Sequence, residues 1–328
     1  MISPLERCKN PRTRRAEHAI RVPNPHFGAT LQTMELTPTS RFITQRDGLN
    51  LRALEWSRPE DSSGSPLLLV HGLASNARLW DGPARHLAQM GHAVTAIDLR
   101  GHGFSDKPDD GYEMTTVVDD IADVIHALYP QRSSAGKPIV IGQSWGGNLV
   151  VELAHRHGGL VRGIVAVDGG TIELSQAFPQ WEECERTLRP PAIAGMKYER
   201  LRSYIRAAHT DWSEEAIDGQ MHNMEHLEDG TIRPHLTMER HIKVLHGLWQ
   251  HMPSALWENI SVPVLFTPAA KQNDDHTRAK RTQLATALRV LPRAKVEWFE
   301  PADHDLHAQF PERFAAVVDD ALTTGFFS

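Results

Sequence analysis

Cysteine is nearly absent, with only Cys8 and Cys184 in 328 residues. A secreted disulfide framework is thereby excluded, and neither thiol has metal-ligand spacing, so a reducing, cytoplasmic setting is expected. Long hydrophobic runs are missing too. No stretch reaches the roughly 18 apolar residues that cross a bilayer, and the opening segment lacks the apolar core of a signal peptide, about 7–15 residues. No membrane partner is expected. An excess of positive charge is the third absence: 35 Lys and Arg stand against 41 Asp and Glu, a net charge of −6. Without a basic field to displace counterions, nucleic acid is a poor partner. What the chain does have is 40% hydrophobic residues and 23 glycines, the content of a globular protein long enough for one large domain or two.

Residues 1–38 read as an N-terminal tail, because Arg7, Lys9, Arg12, Arg14, Arg15 and Arg21 are interspersed with Pro4, Pro11, Pro23 and Pro25, which interrupt any helix. Met34 is an expected natural start of translation. From residue 41 onward, short β-rich runs alternate with amphipathic segments, the habit of an α/β protein with a mostly parallel sheet. Strands are predicted over 42–46 and 51–56, joined by Asp47-Gly48, then over 67–70, 93–97, 138–141 and 161–167. Helices are predicted over 77–90, 116–128 and 147–155. The alternation breaks between about 172 and 252, where Trp181, Trp212, Trp249 and five of the nine methionines sit in helix-like sequence. The rhythm returns with strands at 262–267 and 295–299 and helices at 278–291 and 311–322. The predicted organisation is therefore a core over 39–171, an inserted helical cap over 172–252, and the rest of the core over 253–328.

Gly142-Gln143-Ser144-Trp145-Gly146 directly follows one predicted strand and directly precedes a helix. That is the setting of a nucleophile elbow. A serine in so sharp a turn crowds the residues two positions away on either side, where only glycine leaves room. A phosphate-cradling loop would need a Lys-Ser/Thr pair, which does not follow.

With His71-Gly72-Leu73, the run Asp98-Leu99-Arg100-Gly101-His102-Gly103-Phe104-Ser105-Asp106, the elbow and Asp303-His304 in this order, the chain resembles the α/β-hydrolase superfamily over roughly 41–322. The resemblance implies an eight-stranded, mostly parallel sheet, a cap after the sixth strand, and nucleophile, acid and histidine in that order. Ser144 is then the nucleophile. The main-chain N–H groups of Leu73 and Trp145 match the family's oxyanion hole. His304 is the matching base, with His307 as competitor. For the acid, Asp274 ranks first and Asp275 beside it; Asp168, after the strand at 161–167, is the alternative, since some members carry the acid there. Asp98 and Arg100 are expected to organise a turn. The family's glycine before the histidine is Asp303 here, and its glutamate five residues after is Gln309.

The function expected is a serine carboxylesterase that cleaves a small-molecule ester through an acyl-enzyme on Ser144. Lactonase, thioesterase and carbon–carbon bond hydrolase chemistry remain open on the same residues, as does a non-catalytic ligand-binding protein. Neither cofactor nor metal is expected: Asp303, His304, Asp305 and His307 concentrate possible ligands without the spacing of a zinc site. A homo-oligomer stays open.

Overall fold

The computed structural model describes residues 37–328 apart from 61, 131–132 and 272–274. The predicted tail thus lies outside the described residues except for its last two. In chain order the strands are β1 (Thr39–Thr44), β2 (Asn50–Trp56), β3 (Pro66–Val70), β4 (Ala93–Ile97), β5 (Ile139–Gln143), β6 (Gly163–Val167), the short pair β7 (Met224–His226) and β8 (Ile232–Pro234), then β9 (Val264–Thr267) and β10 (Ala294–Val296). Eight of them form one sheet in the order β1-β2-β4-β3-β5-β6-β9-β10, parallel from β4 to β10 and antiparallel at β1 and β2. The helices are α1 (Asp81–Gln89), α2 (Met114–Leu128), α3 (Trp145–His157), α4 (Leu174–Ala177), α5 (Trp181–Leu188), α6 (Tyr198–Ala208), α7 (Glu214–Met221), α8 (Met238–Gln250), α9 (Asp275–Val290), α10 (Leu306–Gln309) and α11 (Pro311–Thr323).

The continuous apolar run of β3 is what a strand covered on both faces requires. Successive side chains point to opposite sides. Leu68 and Val70 join a core with Val118, Ile121, Leu149 and Leu153 of α2 and α3, while Leu67 and Leu69 join Leu87, Phe314 and Val318 of α1 and α11 on the other side. All four β3 side chains are fully buried, each worth about 1.5–3 kcal/mol. Three strands, β6, β9 and β10, are shorter than predicted. Gly158–Leu160 turns as a 3₁₀ helix before β6. Beyond β10, Phe299 rejoins the sheet through a single bridge to Ala269.

The chain between β6 and β9 contributes no strand to the main sheet, and it is not wholly helical. The β7–β8 hairpin interrupts it, closed by Asp229-Gly230: Gly230 has φ +76°, and Asp229 Oδ1 accepts the Thr231 N–H at 2.8 Å. An Asp-Gly pair between short β-compatible runs is a hairpin signal, and here it prevails over the surrounding helical pattern. This inserted region packs on the 3₁₀ turn Ala77–Trp80 just before α1, where Leu79 meets Trp212, Ala216 and Ile217. Asn76 Nδ2 donates to Gly219 O at 2.9 Å and to Asn223 Oδ1 at 2.6 Å. Farther along, Arg240 and Lys243 donate to the carbonyls of Pro108 and Asp109 in the loop after β4.

Both ends of the insertion meet at one side chain. The fully buried Asn148 on α3 accepts from the N–H groups of Gly170 (2.9 Å) and Ile172 (3.3 Å) through Oδ1. Its Nδ2 donates to Ile172 O at 2.8 Å and to His251 Nδ1 at 3.1 Å. Leucine at this position would fill the space and strand these partners. Asn148→Leu is expected to lower stability by about 2–4 kcal/mol in urea unfolding and to open the chain near 170–174 and 250–256 to limited proteolysis.

Candidate active site

Ser144 stands between the end of β5 and the start of α3 with φ 56° and ψ −118°. A residue with a side chain is strained there by about 1–3 kcal/mol and is held only if its surroundings leave no alternative. Here the surroundings are main chain. The Ser144 N–H donates to Val167 O at 2.8 Å, and Ser144 O accepts the Asn148 N–H at 3.2 Å. A Cβ on Gly142 would lie 2.0 Å from Gly146 O, and one on Gly146 would lie 2.6 Å from both Val70 O and His71 O. Both glycines of the pentapeptide are therefore required by close approach of backbone.

The register of the sheet brings the next group in. Gln143 pairs with Val167 across β5 and β6, so Ser144 and Asp168 are the residues just beyond paired positions. His304 arrives from the loop after β10. Its Nε2 lies 2.8 Å from Ser144 Oγ and its Nδ1 lies 2.6 Å from Asp168 Oδ2. With Asp168 ionised, Nδ1–H donates to the carboxylate and Nε2 is left to accept the serine hydroxyl. Asp168 is buried and has φ +39°. Its Oδ1 accepts the Ala269 N–H at 2.9 Å and a hydrogen bond from Lys280 Nζ. Burial alone would raise the Asp168 carboxyl, but the hydrogen bond and charge of His304, with Lys280 behind them, hold it below the usual carboxylate value. For His304 the signs reverse: desolvation pushes the ring down, and the hydrogen bond and charge of Asp168 outweigh it, so its pKa is raised.

Of the candidate acids, this geometry brings Asp168 to the imidazole. Asp274, ranked first from the sequence, lies outside the described residues. Asp275 opens α9 with its side chain 98% exposed and paired to Arg278. The carboxylate on the imidazole is Asp168, the sequence alternative, because adjacency of β5 and β6 sets the position where loop length alone leaves several aspartates equivalent. His307 is buried against Trp80, with ring centroids 4.2 Å apart, and burial pushes it down to about 3, so it is a neutral packing group. Gln309, in place of the family's glutamate, still braces the histidine loop by accepting the Asp303 N–H at 2.8 Å.

The loop after β3 runs against the nucleophile: a Cβ on Gly72 would come 3.1 Å from Ser144 Cβ. Two neutral histidines hold that loop. His71 Nε2 accepts the Leu99 N–H at 3.0 Å, which leaves Nδ1–H to donate to Gly72 O at 2.7 Å. His102 Nε2 accepts the Ala74 N–H at 3.2 Å, and its Nδ1–H donates to Arg100 O at 2.9 Å. Burial lowers both rings, His102 strongly. His102 also stacks on the buried Trp145, with centroids 5.6 Å apart. The N–H groups of Leu73 and Trp145 donate to no acceptor among the described residues. Asp98 and Arg100 are loop organisers. Asp98 accepts from the N–H groups of Ala77 and Phe104 at 2.8 and 2.9 Å, and Arg100 is bidentate on Asp120 at 2.5 and 2.6 Å. Among the described residues, non-glycine residues with positive φ are Ala74, Ser144 and Asp168, all in this one place. Sequence reasoning missed Lys280 and the bracing by His102; nothing in the pattern of α9 distinguishes Lys280 from Arg278 and Arg281.

Among the described residues no three His, Cys, Asp or Glu side chains converge as metal ligands, and no helix is long and apolar enough to cross a membrane.

Comparison with known proteins agrees with the topology. The chain is 25% identical over 274 residues to 2-(acetamidomethylene)succinate hydrolase of Mesorhizobium japonicum, covering 84% of this chain and 93% of that protein. The crystal structure of an E-2-(acetamidomethylene)succinate hydrolase superposes with a TM-score of 0.72 at 23% identity, over 88% of this chain and 100% of the other. An esterase from Exiguobacterium antarcticum superposes with a TM-score of 0.64 at 18% identity, over 87% of this chain and 100% of its own. The model of the alpha/beta hydrolase family matches residues 67–317, a span that takes in the elbow, Asp168 and His304, and the chain belongs to that family.

Proposed function

We propose that the protein is a serine hydrolase that cleaves a carboxylic ester through an acyl-enzyme on Ser144. The observation that carries this reading is the continuous hydrogen-bond chain from Ser144 Oγ through His304 to the buried Asp168. In the proposed cycle His304 Nε2 takes the hydroxyl proton as Ser144 Oγ attacks the carbonyl carbon. The oxyanion forms against the N–H groups of Leu73 and Trp145, the second at the positive end of α3. His304 then gives its proton to the leaving alkoxide, and the same ring activates the water that releases the acid. In this scheme Asp168 fixes the tautomer and stabilises the imidazolium.

The insertion over 172–252 is proposed to act as the cap. A cavity of about 390 Å³ lies between it and the loop after β3, lined by Ala74, Ile193, Met224, Leu236, Met238 and His241 among others. Its lining is mostly apolar, with Asn223 and Arg233 among its polar members, and it reaches the loop after β3 at Ala74, next in sequence to the proposed donor Leu73. Such a lining suits a largely apolar acyl or alkyl group of moderate size. A second reading, hydrolysis of a substituted succinate, is favoured by the likeness to 2-(acetamidomethylene)succinate hydrolase along nearly all of that protein's length.

A panel of chromogenic esters, thioesters and lactones, together with 2-(acetamidomethylene)succinate, separates these readings. The ester reading requires turnover of one or more esters and labelling of Ser144 by a fluorophosphonate, both abolished in Ser144→Ala. Undiminished turnover in that variant sinks it. Asp168→Asn is expected to lower kcat by about 10³–10⁴, whereas Asp275→Asn stays within about twofold of wild type, consistent with its exposure and its partner Arg278. The pH profile follows from the sign at His304. Only the neutral ring accepts the proton, and Asp168 raises its pKa. Activity should therefore climb as pH rises through a value above the ordinary histidine pKa of 6.5. An acid limb of kcat/KM below that value would contradict the pairing.

A further inference from the structure

We propose that Lys280 is a positioning residue for this reaction: its ammonium locks the Asp168 carboxylate so that one oxygen is kept for His304, and its charge limits how strongly that carboxylate can retain a proton on the ring. The inference rests on the serine-hydrolase reading above and adds a residue to it.

Lys280 reaches the site from α9, with its side chain only 12% exposed. An ammonium is costly to bury unless it is paired and its hydrogens are accepted. Nζ donates to Asp168 Oδ1 and, at 2.8 Å, to Ala269 O, while the Ala269 N–H donates back to the same Oδ1 at 2.9 Å. Lysine, the residue 269 backbone and the carboxylate thus form a closed clamp. Oδ1 is occupied by two donors. Only Oδ2 faces the imidazole, at 2.6 Å from Nδ1. Rotation of the carboxylate, which would weaken that contact, must first break both bonds to Oδ1.

The electrostatic part follows from counting charges. Asp168, Lys280 and a neutral His304 sum to zero, so the ring gains its proton against a net charge of zero. Without the lysine it would gain the proton against a bare carboxylate, and the imidazolium would be held more tightly. A base that must be free near neutrality gains from this restraint. The other titratable and charged groups around the ring are Asp303 and Asp305 on its own loop, His307 on α10, His209 after α6, and Lys271, which pairs with Asp303 at 2.6 Å. A change at Lys280 leaves all of these in place.

The test is the pH dependence of Ser144 phosphonylation by a fluorophosphonate in the full-length protein, which needs no knowledge of the natural substrate. Lys280→Gln keeps a donor for Oδ1 and removes the charge; Lys280→Met removes both. In both variants the acid limb is expected to move upward by about half to one pH unit. The Met variant should also show a plateau about tenfold lower, because its carboxylate is free to turn. If Lys280→Met fails to melt cooperatively, Lys280→Gln decides the question. An acid limb at the wild-type position in Lys280→Gln, with wild type labelled at Ser144, overturns the role of Lys280 and leaves the serine-hydrolase reading standing. Failure of wild type to label, with ester turnover persisting in Ser144→Ala, overturns that reading instead and this inference with it.

Discussion

Main chain packed against main chain, with no Cβ between, is the constraint on which this site rests. Ser144 keeps an unfavourable backbone conformation because Gly142 and Gly146 let the turn close on itself and on the carbonyls that end β3. The same contact fixes the loop after β3 relative to the nucleophile. A further glycine, Gly169, lets the strand next door approach, since a Cβ there would stand 2.3 Å from Ser144 O. Three neighbouring strand ends are thereby locked together, and the side chains they carry inherit positions set by the sheet. Interiors this dense do not deform continuously, so a substitution at any of these glycines is felt by the hydroxyl.

The histidines of this chain illustrate how environment divides a single residue type. His71, His102 and His307 are buried with no carboxylate hydrogen-bonded to the ring, so desolvation prevails, even over the charge of Asp98 near His71, and the first two use that neutrality to accept one main-chain N–H each. His304 has its side chain 52% exposed and faces Asp168, which reverses the direction of its shift. A neutral ring can fix a tautomer and brace a loop. A ring with a carboxylate behind it can take up a proton and give it back.

Much of this was legible in the residues, for identifiable reasons. Doubly buried strands betray themselves as apolar runs, and the elbow as glycines at a strand-to-helix boundary. The histidine is legible from its place ahead of the last helix. The acid is a different kind of problem. Asp168, Asp274 and Asp275 all follow strands and are locally equivalent; what separates Asp168 is the pairing of Gln143 with Val167, a long-range register that one sequence does not display. Lys280 is harder still, since it sits among Arg278 and Arg281 on a polar helix and its inward direction depends on how α9 docks. The hairpin in the insertion lies between these cases. Asp229-Gly230 announces it, but the three-residue strands on either side are too short for their alternation to stand out.

Asn148 gathers the chain where it departs from the sheet and where it comes back, one helical turn beyond the nucleophile. A detour whose entrance and exit share a single anchoring point is, topologically, a loop on a stalk. Because both of its ends are tied to α3, a change of length within it need not displace β6 and β9, the two strands it joins.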